Sequence, residues 1–159
     1  MPELVRGSYY PSVADTSAEL NTGLLLFIPY RALENRVLRA VAEAGFDDVT
    51  LAQARVLQRV GPAGTRLTEL AAAAQVTKQT AGFLVDQLEA AGYVRRRPDP
   101  TDGRARLVEV AERGLAAAAV GAAVVAEVEA EWTAHLGAER MAALRSALVA
   151  LREVTDPFR

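Results

Sequence analysis

The chain has 159 residues, 51% of them hydrophobic and 24% charged, and a formal net charge of −2. That length suits one domain, or one domain plus an association surface, burying roughly 70% of what the unfolded chain would expose. Cysteine is absent and histidine occurs once, as His135, which excludes disulfide frameworks, thiolate metal sites and cysteine redox sensing.

Residues 1–15 carry Pro2, Gly7, Pro11 and the pair Tyr9-Tyr10, and are expected to form an extended N-terminal arm. They lack the basic stretch and apolar run of a leader, and the longest purely apolar run, Leu24 to Ile28, is far short of a membrane span, so a cytoplasmic protein is expected. Thr16-Ser-Ala-Glu19 has the form of a capping box and predicts a helix start. Leu20, Leu24, Phe27, Ile28, Leu33, Val37 and Val41 recur at helical intervals and carry the helix to about Ala44, with Gly45 in the terminating position. Pro29 removes one backbone hydrogen bond in its middle, which predicts a kink near residues 25–29.

Thr50-Leu-Ala-Gln53 is a second capping box, opening a short helix that Gly61-Pro62 should end. Thr68 is expected to cap a third helix through Ala74, and Thr77 a fourth that reaches Ala91 and stops at Gly92. Only Gln75-Val76 joins the third to the fourth, which is helix-turn-helix spacing. Tyr93 to Arg97 then reads as a strand, Pro98 to Gly103 as a turn and Arg104 to Val110 as a returning strand. Two alanine-rich helices follow, roughly 112–134 and 138–154, broken at Gly137. The apolar stretch Leu115 to Val125 is interrupted by Gly121 and followed by Glu127, Glu129 and Glu131, which points to a close-packed helix seam rather than a membrane segment.

The order helix, helix, tight turn, helix, hairpin describes a winged helix-turn-helix. From Arg66 to Arg106 there are seven basic and five acidic residues, a local excess of +2 in a chain of net −2. The charge is therefore polarised toward this segment, as expected of a face for double-stranded DNA. A narrow hairpin tip bearing Arg104 fits a minor groove, with Asp99 and Asp102 as positioning groups for arginine. On the fourth helix, Gln79 suits the adenine edge and the Thr80 methyl suits thymine, while Lys78 suits phosphate. Gly82 is expected to allow close backbone approach, and Leu84, Val85 and Leu88 form the inward stripe.

The segment VTKQTAGFLVDQLEAAGYVRRRPDPTDGRARLVEVAERG, Val76 to Gly114, resembles the signature region of the MarR family of bacterial transcriptional regulators, and the helix order from about 18 to 155 is similar to theirs. The resemblance implies an obligate homodimer in which the first and the last two helices interleave into a dimerisation layer. It also implies that Arg104 of the Asp102-Gly103-Arg104 pattern reaches the minor groove while Asp102 orients it, and that Thr77, Lys78, Gln79, Thr80 and Phe83 are the recognition-helix residues. Arg96 and Arg106 complete the expected DNA-binding set. Two departures stand out: Phe83 occupies a position where many members carry arginine, and Ala111 stands where a threonine cap is common, at a cost on the order of 1 kcal/mol.

The resulting expectation is a mainly α fold with a small β-hairpin wing: an arm over 1–15, a first dimerisation helix over 16–49, a winged helix-turn-helix lobe over 50–110 and dimerisation helices over 111–159. The function expected is that of a homodimeric regulator, a repressor before an activator, bound to a pseudo-palindromic operator. A small aromatic or anionic effector is expected near Phe27, Tyr30, Arg31, Trp132 and His135. No cofactor, metal, membrane partner or catalytic activity is expected, since no P-loop, Gly-rich dinucleotide turn or nucleophile motif occurs. Two alternatives stay open: a winged protein-interaction module without DNA affinity, which the net acidity favours, and a small-molecule binding protein using the space between the layers.

Overall fold

The structure, a computed structural model, describes residues 20–156. The arm over 1–15 and the Thr16–Glu19 capping box lie outside these residues. Helix α1 runs Thr22–Glu43, later than the predicted start, because the Asn21 side chain accepts from the Leu24 N–H at 3.0 Å and supplies the N-cap. The helix continues unbroken through Pro29.

Helix α2, Leu51–Leu57, opens on the predicted Thr50/Gln53 capping box. It ends earlier than Gly61-Pro62, however, at Gln58. Strand β1, Thr65–Arg66, was not foreseen: two residues carry no readable alternation. Because β1 keeps the chain extended up to Leu67, the cap of α3 (Leu67–Ala73) is Arg66, with no side-chain cap, and Thr68 lies inside the helix. Helix α4, Lys78–Ala90, is capped by Thr77 as expected.

Three helices end in the same way. Phe46, Val76 and Tyr93 donate to the carbonyls of Val41, Ala71 and Leu88, while Gly45, Gln75 and Gly92 donate to Ala42, Ala72 and Glu89. This is the Schellman closure, and its left-handed residue has φ of 94°, 57° and 81° in turn. Gln75 adopts it without being glycine and so makes the tight corner between α3 and α4.

The hairpin is longer than predicted. Strand β2 spans Val94–Asp99 and β3 Asp102–Val110, so Pro98, Asp99, Asp102 and Gly103 belong to strands and the turn shrinks to residues 100–101. The sheet order is β1-β3-β2, all antiparallel, with Thr65 opposite Val108 and Arg96 also opposite Val108. Helices α5 (Glu112–Leu136) and α6 (Ala138–Thr155) follow; the uncapped Ala111 precedes α5, and Gly137 at φ 85° breaks the two.

Val56, Leu70, Leu84, Val85, Leu88, Tyr93, Val94 and Val108 form one core under the lobe, which reaches Val41 of α1 and Ala117 of α5. Lobe and long helices thus share packing. Apolar side chains remain exposed at the start of α1 (Leu25, Leu26, Phe27, Ile28) and along α6 (Leu144, Leu148, Leu151, Val154). Among the described residues no helix is long and apolar enough to cross a membrane, and no group of three or more acidic or histidine side chains is placed to hold a metal ion.

Candidate nucleic-acid interface

Helix α4 has two distinct faces. Ala81, Leu84, Val85 and Leu88 are buried against the core, while Lys78, Gln79, Thr80, Phe83 and Asp86 are exposed. The Thr77 hydroxyl accepts from the Thr80 N–H at 3.0 Å and pairs with the Thr80 hydroxyl at 2.8 Å, which fixes the exposed Thr80 side chain on the first turn of α4. Gly82 does not face outward: a Cβ there would meet Leu67 of α3 at 3.7 Å. That is ordinary contact distance, so the α3–α4 packing does not itself require glycine there.

The wing is held by carboxylates. Asp99, 6% exposed, accepts from the Thr101 N–H at 2.8 Å, the Thr101 hydroxyl at 2.7 Å and Arg66 Nε at 2.7 Å. Those bonds, Thr101 first and then Arg66, hold its carboxyl down at about 2. Asp99 therefore fixes the hairpin turn to β1 and positions Arg66, not Arg104. Asp102 accepts from the Arg104 backbone N–H at 3.1 Å, which orders the chain at the tip.

The arginines of the wing separate into two groups. Arg95 and Arg97 of β2 share Glu109 across the hairpin, and Arg97 also donates to the Ala63 carbonyl at 2.8 Å. Arg96 reaches back to α4, where it pairs with Asp86 at 2.6 Å and with Glu89, whose other oxygen accepts the Arg96 backbone N–H at 2.8 Å. Arg96 thus ties the wing to α4. Arg104, Arg106 and Lys78, the one lysine of the chain, are exposed and form no ion pair among the described residues. The local excess of positive charge is therefore concentrated at the wing and the first turn of α4, although Arg66, Arg95, Arg96 and Arg97 supply most of the cations by count.

Residues that sequence reasoning missed join this lobe to the long helices. Tyr93 is fully buried; its hydroxyl donates to Asp48, its ring meets Phe46 edge-on at 6.3 Å, and the Arg113 guanidinium lies 4.4 Å above it. Burial, reinforced by Asp48, pushes its hydroxyl up to about 12. Arg113 closes the cluster with 2.9 Å bonds to Asp48 and a 2.6 Å bond to the Ala91 carbonyl. No periodicity signals a cluster gathered from residues 46, 48, 93 and 113.

A second cluster joins α1 to α2. Glu34, 4% exposed, accepts from Arg55 at 2.8 and 3.1 Å, from Tyr30 at 3.1 Å and from Arg31. Arg55 most, then Arg31 and Tyr30, hold its carboxyl below the usual range against the effect of burial. Glu34 and Tyr30 stand in the wall of a cavity of about 500 Å³ between α1, α2 and α5, whose other walls include Val37, Leu57, Leu115 and Ala118. Of the expected effector residues only Tyr30 lines it. Phe27 is exposed, Arg31 is bonded to Glu34, and Trp132 and His135 lie beyond Val125, the last lining residue of α5.

A family model described as "MarR family" matches residues 47–105. Among solved structures, the crystal structure of MarR is 25% identical, with 86% of this chain and 98% of that chain covered and a TM-score of 0.68. The transcriptional repressor CouR bound to a 23-mer DNA duplex is 28% identical, with 84% and 93% covered and a TM-score of 0.64. The transcriptional regulator Tm0710 of Thermotoga maritima is 26% identical, with 84% and 93% covered and a TM-score of 0.59. No curated protein sequence matches the chain. The family model falls on the winged lobe, and the likeness to solved MarR-family regulators extends over the long helices as well, so the chain is similar to these DNA-binding transcriptional regulators over most of its length.

Proposed function

We propose that the chain is a homodimeric, sequence-specific transcriptional repressor that binds a pseudo-palindromic operator. The observation that carries this reading is the charge distribution: Lys78, Arg104 and Arg106 lack ion-pair partners among the described residues, and they lie on the two elements that a winged lobe offers to a duplex. The 28% identical CouR, a repressor bound to a DNA duplex, supports it. In this reading α4 enters a major groove with Thr77, Gln79, Thr80 and Phe83 toward the bases and Lys78 toward phosphate. Arg104 enters the flanking minor groove, Asp102 orders the chain that presents it, Arg106 faces the backbone, and Arg96, held by Asp86 and Glu89, fixes the wing to α4.

The helices outside the 50–110 lobe serve dimerisation. Their exposed apolar side chains, with Phe27 at 55% and Val154 at 83%, suit a second copy, which would set two recognition helices roughly 34–36 Å apart. The cavity beside Glu34 suits a small effector, and its walls favour the aromatic over the anionic class: they are apolar but for Tyr30, Glu34 and Gln58, and hold no free cation. Such a ligand acts only through different affinities for two arrangements of the lobes.

Fluorescence anisotropy with duplexes recovered from genomic fragments tests the reading. Arg104→Ala is expected to weaken binding and to lower the slope of log affinity against log salt by about 1, with the dimer intact. Equal affinity and slope for wild type and variant would overturn the role of the wing.

A further inference from the structure

We propose that Phe83 directs the major-groove reading to thymine, so that each operator half-site carries an A·T pair whose thymine 5-methyl meets the Phe83 ring, within about two base steps of the pair read by Gln79. This rests on the regulator reading above and adds the base chemistry to it.

Phe83 is 61% exposed, and within residues 50–110 it is the one large apolar side chain that stands exposed. The fold does not need it there: the inward face of α4 is already filled by Ala81, Leu84, Val85 and Leu88. Among the described residues its ring joins no aromatic pair and no cation–π contact, Lys78 included. The apolar surface of α1 and α6 belongs to other elements, whereas Phe83 lies one helical turn from Gln79 and three residues from Thr80, on the face that also carries Lys78. In the regulator reading this face meets a duplex, and an exposed phenyl ring there calls for an apolar group on the bases.

Major-groove chemistry supplies one such group in unmodified DNA. A phenyl ring has no donor or acceptor for guanine O6 and N7 or for cytosine N4, but it makes apolar contact with the C5-methyl of thymine. The neighbouring groups agree. Gln79 suits adenine at two points, the Thr80 methyl suits thymine, and no arginine stands on the outer face of α4 to select guanine, Lys78 being assigned to phosphate. The one arginine that approaches α4 from the wing, Arg96, is occupied by Asp86 and Glu89.

The test is selection from an unmethylated random duplex library with the full-length protein, followed by anisotropy on the enriched site with single thymines replaced by uracil. The expected result is an A·T pair opposite Phe83 and about fourfold weaker binding when its thymine loses the methyl group. Phe83→Ala should lose that sensitivity at the one position, with melting temperature unchanged because the ring is exposed, and Phe83→Arg should shift selection there toward guanine. Uracil indifference throughout the half-site, or equal uracil sensitivity in Phe83→Ala, would overturn the proposal while leaving the regulator reading standing. Failure to enrich any sequence would overturn both.

Discussion

Gly82, Gly114 and Gly121 lie inside helices at contacts of different tightness, and Gly114 is the most constrained. An added Cβ would sit 2.2 Å from the Tyr93 carbonyl oxygen and 2.8 Å from Val110 Cγ1. That carbonyl already accepts the Ala111 N–H at 2.9 Å, and the Tyr93 ring behind it is fully buried, so the strand has nowhere to retreat. Overpacking costs about 1–3 kcal/mol and a weakened hydrogen bond about 1 more, against a gain of about 1 from placing alanine in a helix interior. Gly114→Ala should therefore be destabilised by about 1–3 kcal/mol. At Gly82 the same substitution meets only ordinary contact at 3.7 Å, so the helix gain wins and the protein should be stabilised by up to about 1 kcal/mol. Gly121→Ala, 3.3 Å from Val37 Cγ1, should fall between. Urea unfolding of the three variants at one protein concentration measures the order. A Gly114→Ala midpoint at or above wild type would refute the close passage of the Tyr93 carbonyl, just before β2, across the start of α5.

Arg96→Ala should cost on the order of 1 kcal/mol and weaken duplex binding indirectly, since both partners of Arg96 are on α4; amide exchange at the wing should rise, and unchanged exchange would count against the tie. Asp99, held at about 2 against an ordinary 3.8, contributes stability that is present above pH 4 and is lost as pH falls through 2. Asp99→Asn should remove that part of the acid limb in urea midpoints taken between pH 4 and 2, and an unaltered limb would show the carboxylate idle. Tyr93 has the opposite sign: raised to about 12, it contributes stability below pH 10 that is lost as pH rises through 12. Tyr93→Phe should flatten the alkaline limb seen by circular dichroism, and a limb identical to wild type would be evidence against this.

Local signals were the legible part of the sequence. The Thr50/Gln53 box, the Thr77 cap and the stops at Gly45, Gly92 and Gly137 each depend on residues within one turn, and each stands in the structure. The errors arise where distant chain intervenes. Thr68 is a good cap in isolation, but β3 pairs with Thr65 and Arg66 and holds the chain extended one step too far for Thr68 to serve. The same holds for charge. The number of arginines in the hairpin was plain, but which of them are neutralised depends on Asp86, Glu89 and Glu109, and Asp99 finds its arginine 33 positions away. The buried Glu34, the Tyr93 cluster and the cavity were beyond sequence reading for the same reason: each is assembled from several elements.

The internal neutralisation of Arg95, Arg96 and Arg97 bears on how such a protein would search a chromosome. A polyelectrolyte holds any ligand in proportion to the counterions that ligand displaces, whatever the letters beneath. A chain that spends most of its hairpin guanidinia on its own acids adheres little to irrelevant duplex. Under the regulator reading proposed above, fewer copies would then be parked along the genome, and a small pool of molecules would be enough to keep one address occupied.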